Sequence, residues 1–157
     1  MKKKILIISY YWPPAGGPGV QRWLKFAKYL PEFNMTPVLF VPENANYPIK
    51  DNSLNLEVSK DLEIIKLPIF ELSAFLPRLK SLNSIRSGNI SKNKNQSILK
   101  KVFFFIRGNF FIPDMKIFWK RNSVNFLENY ISDNNIETIV TTGPPHSLHL
   151  IGLELKR

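Results

Sequence analysis

The sequence of 157 residues contains no cysteine and only two histidines. The absence of cysteine excludes disulfides, thiolate metal ligands and a cysteine nucleophile, and two histidines leave little material for a zinc site. We therefore expect no bound metal and a reducing, cytoplasmic setting. The sequence also lacks a run of about 18 uninterrupted apolar residues, the length needed to cross a bilayer. Any membrane association is therefore expected to be peripheral, on the inner face of the membrane.

Apolar residues make up 44% of the chain, which is enough to build one core in a domain of this length. Short apolar runs without alternation are typical of strands that are buried on both faces of a parallel sheet. Such runs occupy residues 5–9, 36–41, 62–67 and 136–140. Between or after these runs, apolar residues recur at helical spacing, over 20–30, 118–130 and 147–156. The pattern predicts an α/β fold with a Rossmann-like, doubly wound parallel sheet.

Two loops rich in glycine and proline follow predicted strands, at residues 12–19 and 142–147. Ligands of a doubly wound sheet bind beyond the carboxyl ends of its strands, so both loops are candidates for a site. Glycines let backbone N–H groups approach an anion, and the start of the following helix adds a partial positive charge. The first loop therefore suits phosphate. Arg22 can reach the same anion, and His146 can donate a hydrogen bond to a sugar or a phosphate.

Other interpretations of these loops stay open. Gly17 and Gly19, followed by Glu43 near the end of the second strand, superficially fit a dinucleotide-binding fingerprint. Two features depart from that fingerprint: its third glycine falls at Arg22, and Pro18 removes one N–H donor. A Rossmann-type nucleotide-binding domain of an oxidoreductase is therefore kept as the alternative. The glycines could also serve a tight turn alone, Arg22 could be a solvated charge, and His146 a capping residue.

The basic residues are concentrated in one segment. Residues 78–121 hold eleven lysines and arginines and one acid, which accounts for the whole net charge of +10. Cations interleaved with large aromatic groups over 102–112 favour an anionic membrane surface as partner. We do not expect a nucleic-acid partner, although basic and aromatic residues also suit single strands. A non-catalytic membrane-binding module, or a plain solvated face, remains an alternative.

Several stretches of the chain resemble family 4 glycosyltransferases, which are retaining enzymes of GT-B fold. The likeness begins at residues 5–17 and continues at 21–26, 42–44, 111–114 and 142–147. The resemblance implies that residues 1–157 are the N-terminal, acceptor-side domain, one half of a GT-B fold. The C-terminal, donor-binding domain would then lie outside this chain, and the chain alone would be inactive.

The resemblance also implies an activity. Such an enzyme transfers a sugar from a nucleotide-sugar donor to a glycan or lipid-linked acceptor with retention, and it needs no cofactor because the nucleotide sugar is a substrate. The first loop would lie near the donor phosphate and the transferred sugar, and we expect His146 as the catalytic residue. The residues expected to bind the donor phosphate and sugar are Gly16, Gly17, Gly19, Arg22, Gly143 and Ser147. We further expect that Gly17→Val obstructs the ligand while leaving the fold largely intact.

Overall fold

The computed structural model describes residues 3–70, 105, 108, 109 and 111–156. Its centre is a four-stranded sheet in the order β3-β2-β1-β4. The strands are β1 (Lys3–Ile8), β2 (Met35–Pro42), β3 (Glu63–Leu67) and β4 (Thr138–Thr141). All three pairings are parallel. Ile8 at the end of β1 lies opposite Phe40 of β2 and Thr141 of β4, so these strands end at one common edge.

In the described part of the chain, three α-helices flank the sheet, and they lie on both of its faces. Helix α1 (Pro18–Tyr29) packs against one face, while α2 (Ile117–Asp133) and α3 (Ser147–Leu155) pack against the other. Side chains of a strand alternate between the two faces, so β1 supplies Ile5 and Ile7 to the α1 side and Leu6 and Ile8 to the opposite side. This arrangement confirms the predicted α/β, Rossmann-like doubly wound fold.

The two cores differ in character. The core under α1 is aliphatic around Val20, Leu24 and Ala27, which are all nearly fully buried. The core under α2 and α3 is aromatic, and Trp119 stacks on Phe40 with ring centroids 5.0 Å apart. Burial of large aromatic side chains contributes strongly to stability, so α2 is firmly attached to the middle of the sheet.

The segment between β2 and β3 contains a short 3₁₀ helix at Asn52–Glu57. The carboxylate of Asp51 accepts a hydrogen bond from the backbone N–H of Ser53 at 3.0 Å, which caps the start of this helix. A second 3₁₀ helix, Leu30–Phe33, extends α1 toward β2.

Most of the basic segment, namely residues 78–104, 106, 107 and 110, lies outside the described residues. The membrane contact expected there therefore stays a prediction. Within the part of the chain that the structure describes, no helix is long and apolar enough to span a bilayer.

Candidate functional site

A cavity of about 320 Å³ opens at the edge of the sheet where β1 and β4 end. Its walls come from both predicted loops and from the segment after β2. The lining residues are Ser9 and Tyr11, residues 16–20, 22 and 23, residues 48 and 49, and residues 142–144. A cleft at this end of a parallel sheet is where ligands of doubly wound folds bind.

The first loop enters α1 through a conformation that only glycine adopts readily. Gly17 is the N-cap of the helix, with φ of 110° and ψ of 168°. Its carbonyl accepts hydrogen bonds from the N–H groups of Val20 at 3.1 Å and Gln21 at 3.2 Å. Pro18 follows without an N–H, so Gly19 is the first helical residue with an amide to offer an anion. The positive end of the α1 dipole lies at this wall of the cavity.

The backbone conformation at Gly17 bears on the expected effect of Gly17→Val. No atom lies within 4 Å of the position where a Cβ would be added, so the space is open. A valine at φ of +110° is nevertheless strained, because L residues rarely adopt this region. The variant should therefore have reduced stability, and the expectation that its fold stays largely intact stays a prediction.

A neighbouring segment holds the first loop in place. The N–H of Gly16 donates to the Ile49 carbonyl at 3.0 Å, and the N–H of Asp51 donates to the Pro14 carbonyl at 2.8 Å. Ala15 and Lys50 form an antiparallel bridge between the two segments. Backbone hydrogen bonds to this segment therefore fix the first loop, which makes it a preformed wall of the cavity.

Two hydroxyl groups join the loops at the cavity. Ser9 is 1% exposed, and its Oγ donates to the Tyr11 carbonyl at 2.9 Å. The same Oγ lies 3.4 Å from Oγ1 of Thr142, whose own N–H donates to the Ile8 carbonyl at 3.1 Å. Neither residue is among the predicted site residues. Their position directly after strand ends was the available signal, since parallel strands bring such residues together.

Ser147 lies at the start of α3, away from the cavity lining, and its polar groups bind Asp114. Its N–H donates to Oδ2 of Asp114 at 2.8 Å and its Oγ donates to Oδ1 at 2.9 Å. The backbone N–H of Lys116 donates to the same Oδ1 at 2.8 Å. One carboxylate therefore links the start of α2 to the start of α3 and holds the second loop. Sequence reasoning missed Asp114 because the partners are distant in sequence.

His146 lies next to the cavity but not in its lining. Its ring and that of His149 are both on exposed residues, with centroids 5.8 Å apart, and Nδ1 of His149 lies 2.8 Å from Oγ1 of Thr141. A Cβ added to Gly143 would lie 2.7 Å from Nε2 of His149 and 3.2 Å from Nδ1 of His146. Glycine at 143 thus lets both imidazoles pack over the second loop. Among the described residues, no group of three or more His, Cys, Asp or Glu side chains is placed to hold a metal.

Arg22 is the charged side chain among the described residues that line the cavity. It is exposed, and its guanidinium carbon lies 5.7 Å from the centroid of the Trp23 ring. An exposed guanidinium beside a helix N-terminus and two hydroxyls can bind anionic oxygen atoms and sugar hydroxyls. The described residues that line the cavity include no carboxylate or imidazole. The groups that they offer are suited to binding a ligand.

The structure thus brings part of the predicted site together. The predicted residues that line this cavity are Gly16, Gly17, Gly19, Arg22 and Gly143. His146 contacts this group through Gly143, and Ser147 is engaged by Asp114.

Comparison of the chain with protein-family models, with curated proteins and with solved structures found no match in any of the three. The resemblance to family 4 glycosyltransferases therefore stays a prediction.

Proposed function

We propose that this chain is the acceptor-side half of a retaining glycosyltransferase, which transfers a sugar from a nucleotide-sugar donor to a glycan or lipid-linked acceptor. The convergence of the two loops on one cavity carries the proposal. Gly17, Gly19 and Arg22 supply a helix N-terminus and a cation, while Ser9 and Thr142 supply hydroxyls beside Gly143. This combination suits a phosphorylated sugar.

The proposed chemistry requires stabilisation of a departing nucleoside diphosphate. The N-terminus of α1 and the guanidinium of Arg22 would neutralise part of its negative charge as the bond to the sugar breaks. Among the described residues, the cavity offers one helix terminus and one guanidinium for a diphosphate, and the proposal assigns the further cations to a second domain. The chain alone would then bind the sugar-phosphate end of the donor weakly and would not turn it over.

His146 has a supporting role in this proposal. Its exposed ring lies over Gly143 at the border of the cavity, within reach of a sugar that extends from the first loop. A hydrogen bond from the imidazole would orient the transferred sugar. His146→Ala is then expected to lower turnover of the intact enzyme more than it lowers stability, because the residue is exposed.

The oxidoreductase alternative receives less support from the geometry. A dinucleotide site needs an acid for the ribose, and Glu43 is exposed and does not line the cavity. The place of the third glycine is taken by Arg22, whose side chain lies on the exposed side of α1. A membrane-binding module without catalysis depends on the basic segment, most of which lies outside the described residues.

The test of the proposal uses the protein extended through any downstream coding sequence. It is incubated with a panel of uridine and guanosine diphosphate sugars and a membrane extract that supplies acceptors. We expect one donor to be consumed and the new linkage to keep the anomeric configuration of the donor. Gly19→Ala in the same protein should lower turnover, whereas Lys60→Gln, an exposed change away from the cavity, should not. Consumption of nicotinamide cofactor with no sugar transfer would contradict the proposal.

A further inference from the structure

The cavity has an apolar wall beside its anion-binding groups. Pro48 and Ile49, which come from the segment after β2, line it together with Trp23 of α1. The N-terminus of α1 and the guanidinium of Arg22 belong to the same cavity. Ile49 is 64% exposed, so its side chain adds little to the core and is accessible to a ligand. The cavity therefore offers separate places to a phosphate and to an apolar group.

The position of Ile49 is fixed by contacts of the chain on both sides of it. Two residues before it, the ring of Tyr47 contacts the ring of Tyr11, with centroids 6.0 Å apart. Two residues after it, the N–H of Asp51 donates to the Pro14 carbonyl at 2.8 Å. A β-branched side chain has few rotamers on a fixed backbone, so Ile49 presents a preorganised surface of methyl groups.

Gly16 lets this surface lie directly against the first loop. Its N–H donates to the Ile49 carbonyl at 3.0 Å. A Cβ added to Gly16 would lie 3.1 Å from Cγ2 of Ile49, which is closer than ordinary van der Waals contact. The next residue, Gly17, is the N-cap of α1. A phosphate bound at this helix N-terminus would therefore place the sugar ring that it carries beside the Ile49 side chain.

We infer that Ile49 is a specificity-determining residue, which selects a sugar phosphate whose ring carries a methyl group, as a 6-deoxy or an N-acetyl sugar does. This inference rests on the proposed function and names the class of the transferred sugar. A methyl group would bury apolar surface against Ile49 and Pro48, whereas a hydroxyl at the same place would exchange water for apolar neighbours. A volume of about 320 Å³ lies near the lower end of the range of roughly 300–1,000 Å³ for small-molecule sites, which suits a single sugar phosphate.

The experiment compares matched sugar phosphates on the ¹⁵N-labelled full chain. Glucose 1-phosphate, 6-deoxyglucose 1-phosphate and N-acetylglucosamine 1-phosphate are titrated separately, and the amide shifts of Gly17 and Gly19 give each dissociation constant. We expect one of the two methyl-bearing sugars to bind about fourfold or more tightly than glucose 1-phosphate, the factor that corresponds to burial of one methyl group. The arm that shows the preference identifies the source of the methyl group.

Variants of Ile49 assign the preference to this side chain. Ile49→Ser keeps the backbone carbonyl that binds Gly16, and it should bind the preferred sugar and glucose 1-phosphate about equally, within about twofold. Ile49→Val keeps a β-branched methyl surface and should retain a preference of about twofold or more. Leu56→Ser is the matched control, because Leu56 is 89% exposed on the neighbouring 3₁₀ helix and does not line the cavity. It should keep the full preference.

Three results would overturn the inference while the proposed function stands. The first is equal affinity of the wild type for all three sugar phosphates, or a preference for glucose 1-phosphate. The second is a preference for the methyl-bearing sugar that survives in Ile49→Ser with unchanged circular dichroism. The third is binding of n-butyl phosphate as tight as that of the preferred sugar, which would assign the apolar wall to an alkyl chain. Absence of binding by every sugar phosphate would overturn the inference and the proposed function together.

Discussion

Two neighbouring glycines of the first loop should respond in opposite ways to the same substitution. Gly17→Ala forces an L residue to a φ of +110°, which costs about 1–3 kcal/mol of stability. Gly19 lies within the first turn of α1, and a Cβ added there meets no atom within 4 Å. Gly19→Ala should therefore stabilise by about 0.5–1 kcal/mol, because alanine loses less backbone entropy in a helix than glycine does. The two variants should differ by about 1.5–4 kcal/mol.

Urea denaturation followed by far-UV circular dichroism measures this difference. With a slope of about 2 kcal/mol per molar urea, the midpoints of the two variants should lie about 0.8–2 M apart, with the wild type between them. Equal midpoints, or a Gly17→Ala variant as stable as the wild type, would refute the strained conformation at Gly17. The preformed shape of the first loop would lose its support with it.

Three further predictions concern the framework of the site. Asp114→Ala should lower the free energy of unfolding by about 1–2 kcal/mol through loss of the helix cap, measured in urea, and an unchanged value would contradict the link between α2 and α3. Gly152→Ala should destabilise because its Cβ would lie 2.6 Å from Cγ2 of Thr141; Thr141→Ser should rescue it, and additive losses would show that the contact is absent. Burial, followed by a hydrogen bond to Glu63, raises the pKa of Tyr130, so its contribution to stability is present below the usual pKa of about 10 and is lost as pH rises above it. Tyr130→Phe should lack this loss in melts across alkaline pH, and identical profiles would contradict it.

The sheet could be predicted because its strands are apolar on both faces. Runs such as Ile5 to Ile8 have no polar alternation, and this pattern has few explanations other than a parallel sheet covered by helices. The loops around Gly17 and Gly143 could be located because glycine and proline follow strand ends in the sequence.

The remaining features depend on contacts that sequence spacing does not encode. The approach of Ser9 to Thr142 joins residues 133 positions apart, and the bonds from Ser147 to Asp114 span 33 positions. The sequence predicts Ser147 as a ligand-binding residue because it does not show that the Asp114 carboxylate accepts a hydrogen bond from the Ser147 N–H. The sign of φ at Gly17 is likewise a property of the folded loop, and the sequence shows only that glycine is present.

The central claim is that the cavity binds a sugar phosphate, and amide chemical shifts test it most directly. The ¹⁵N-labelled chain is titrated with glucose 1-phosphate and with uridine diphosphate glucose, and separately with NAD⁺. The account predicts shifts confined to the two loops, at Gly16, Gly17, Gly19, Thr142 and Gly143, for both sugar phosphates, and weaker shifts for Gly19→Ala. Shifts at these amides with NAD⁺ alone, or none with any sugar phosphate, would contradict it.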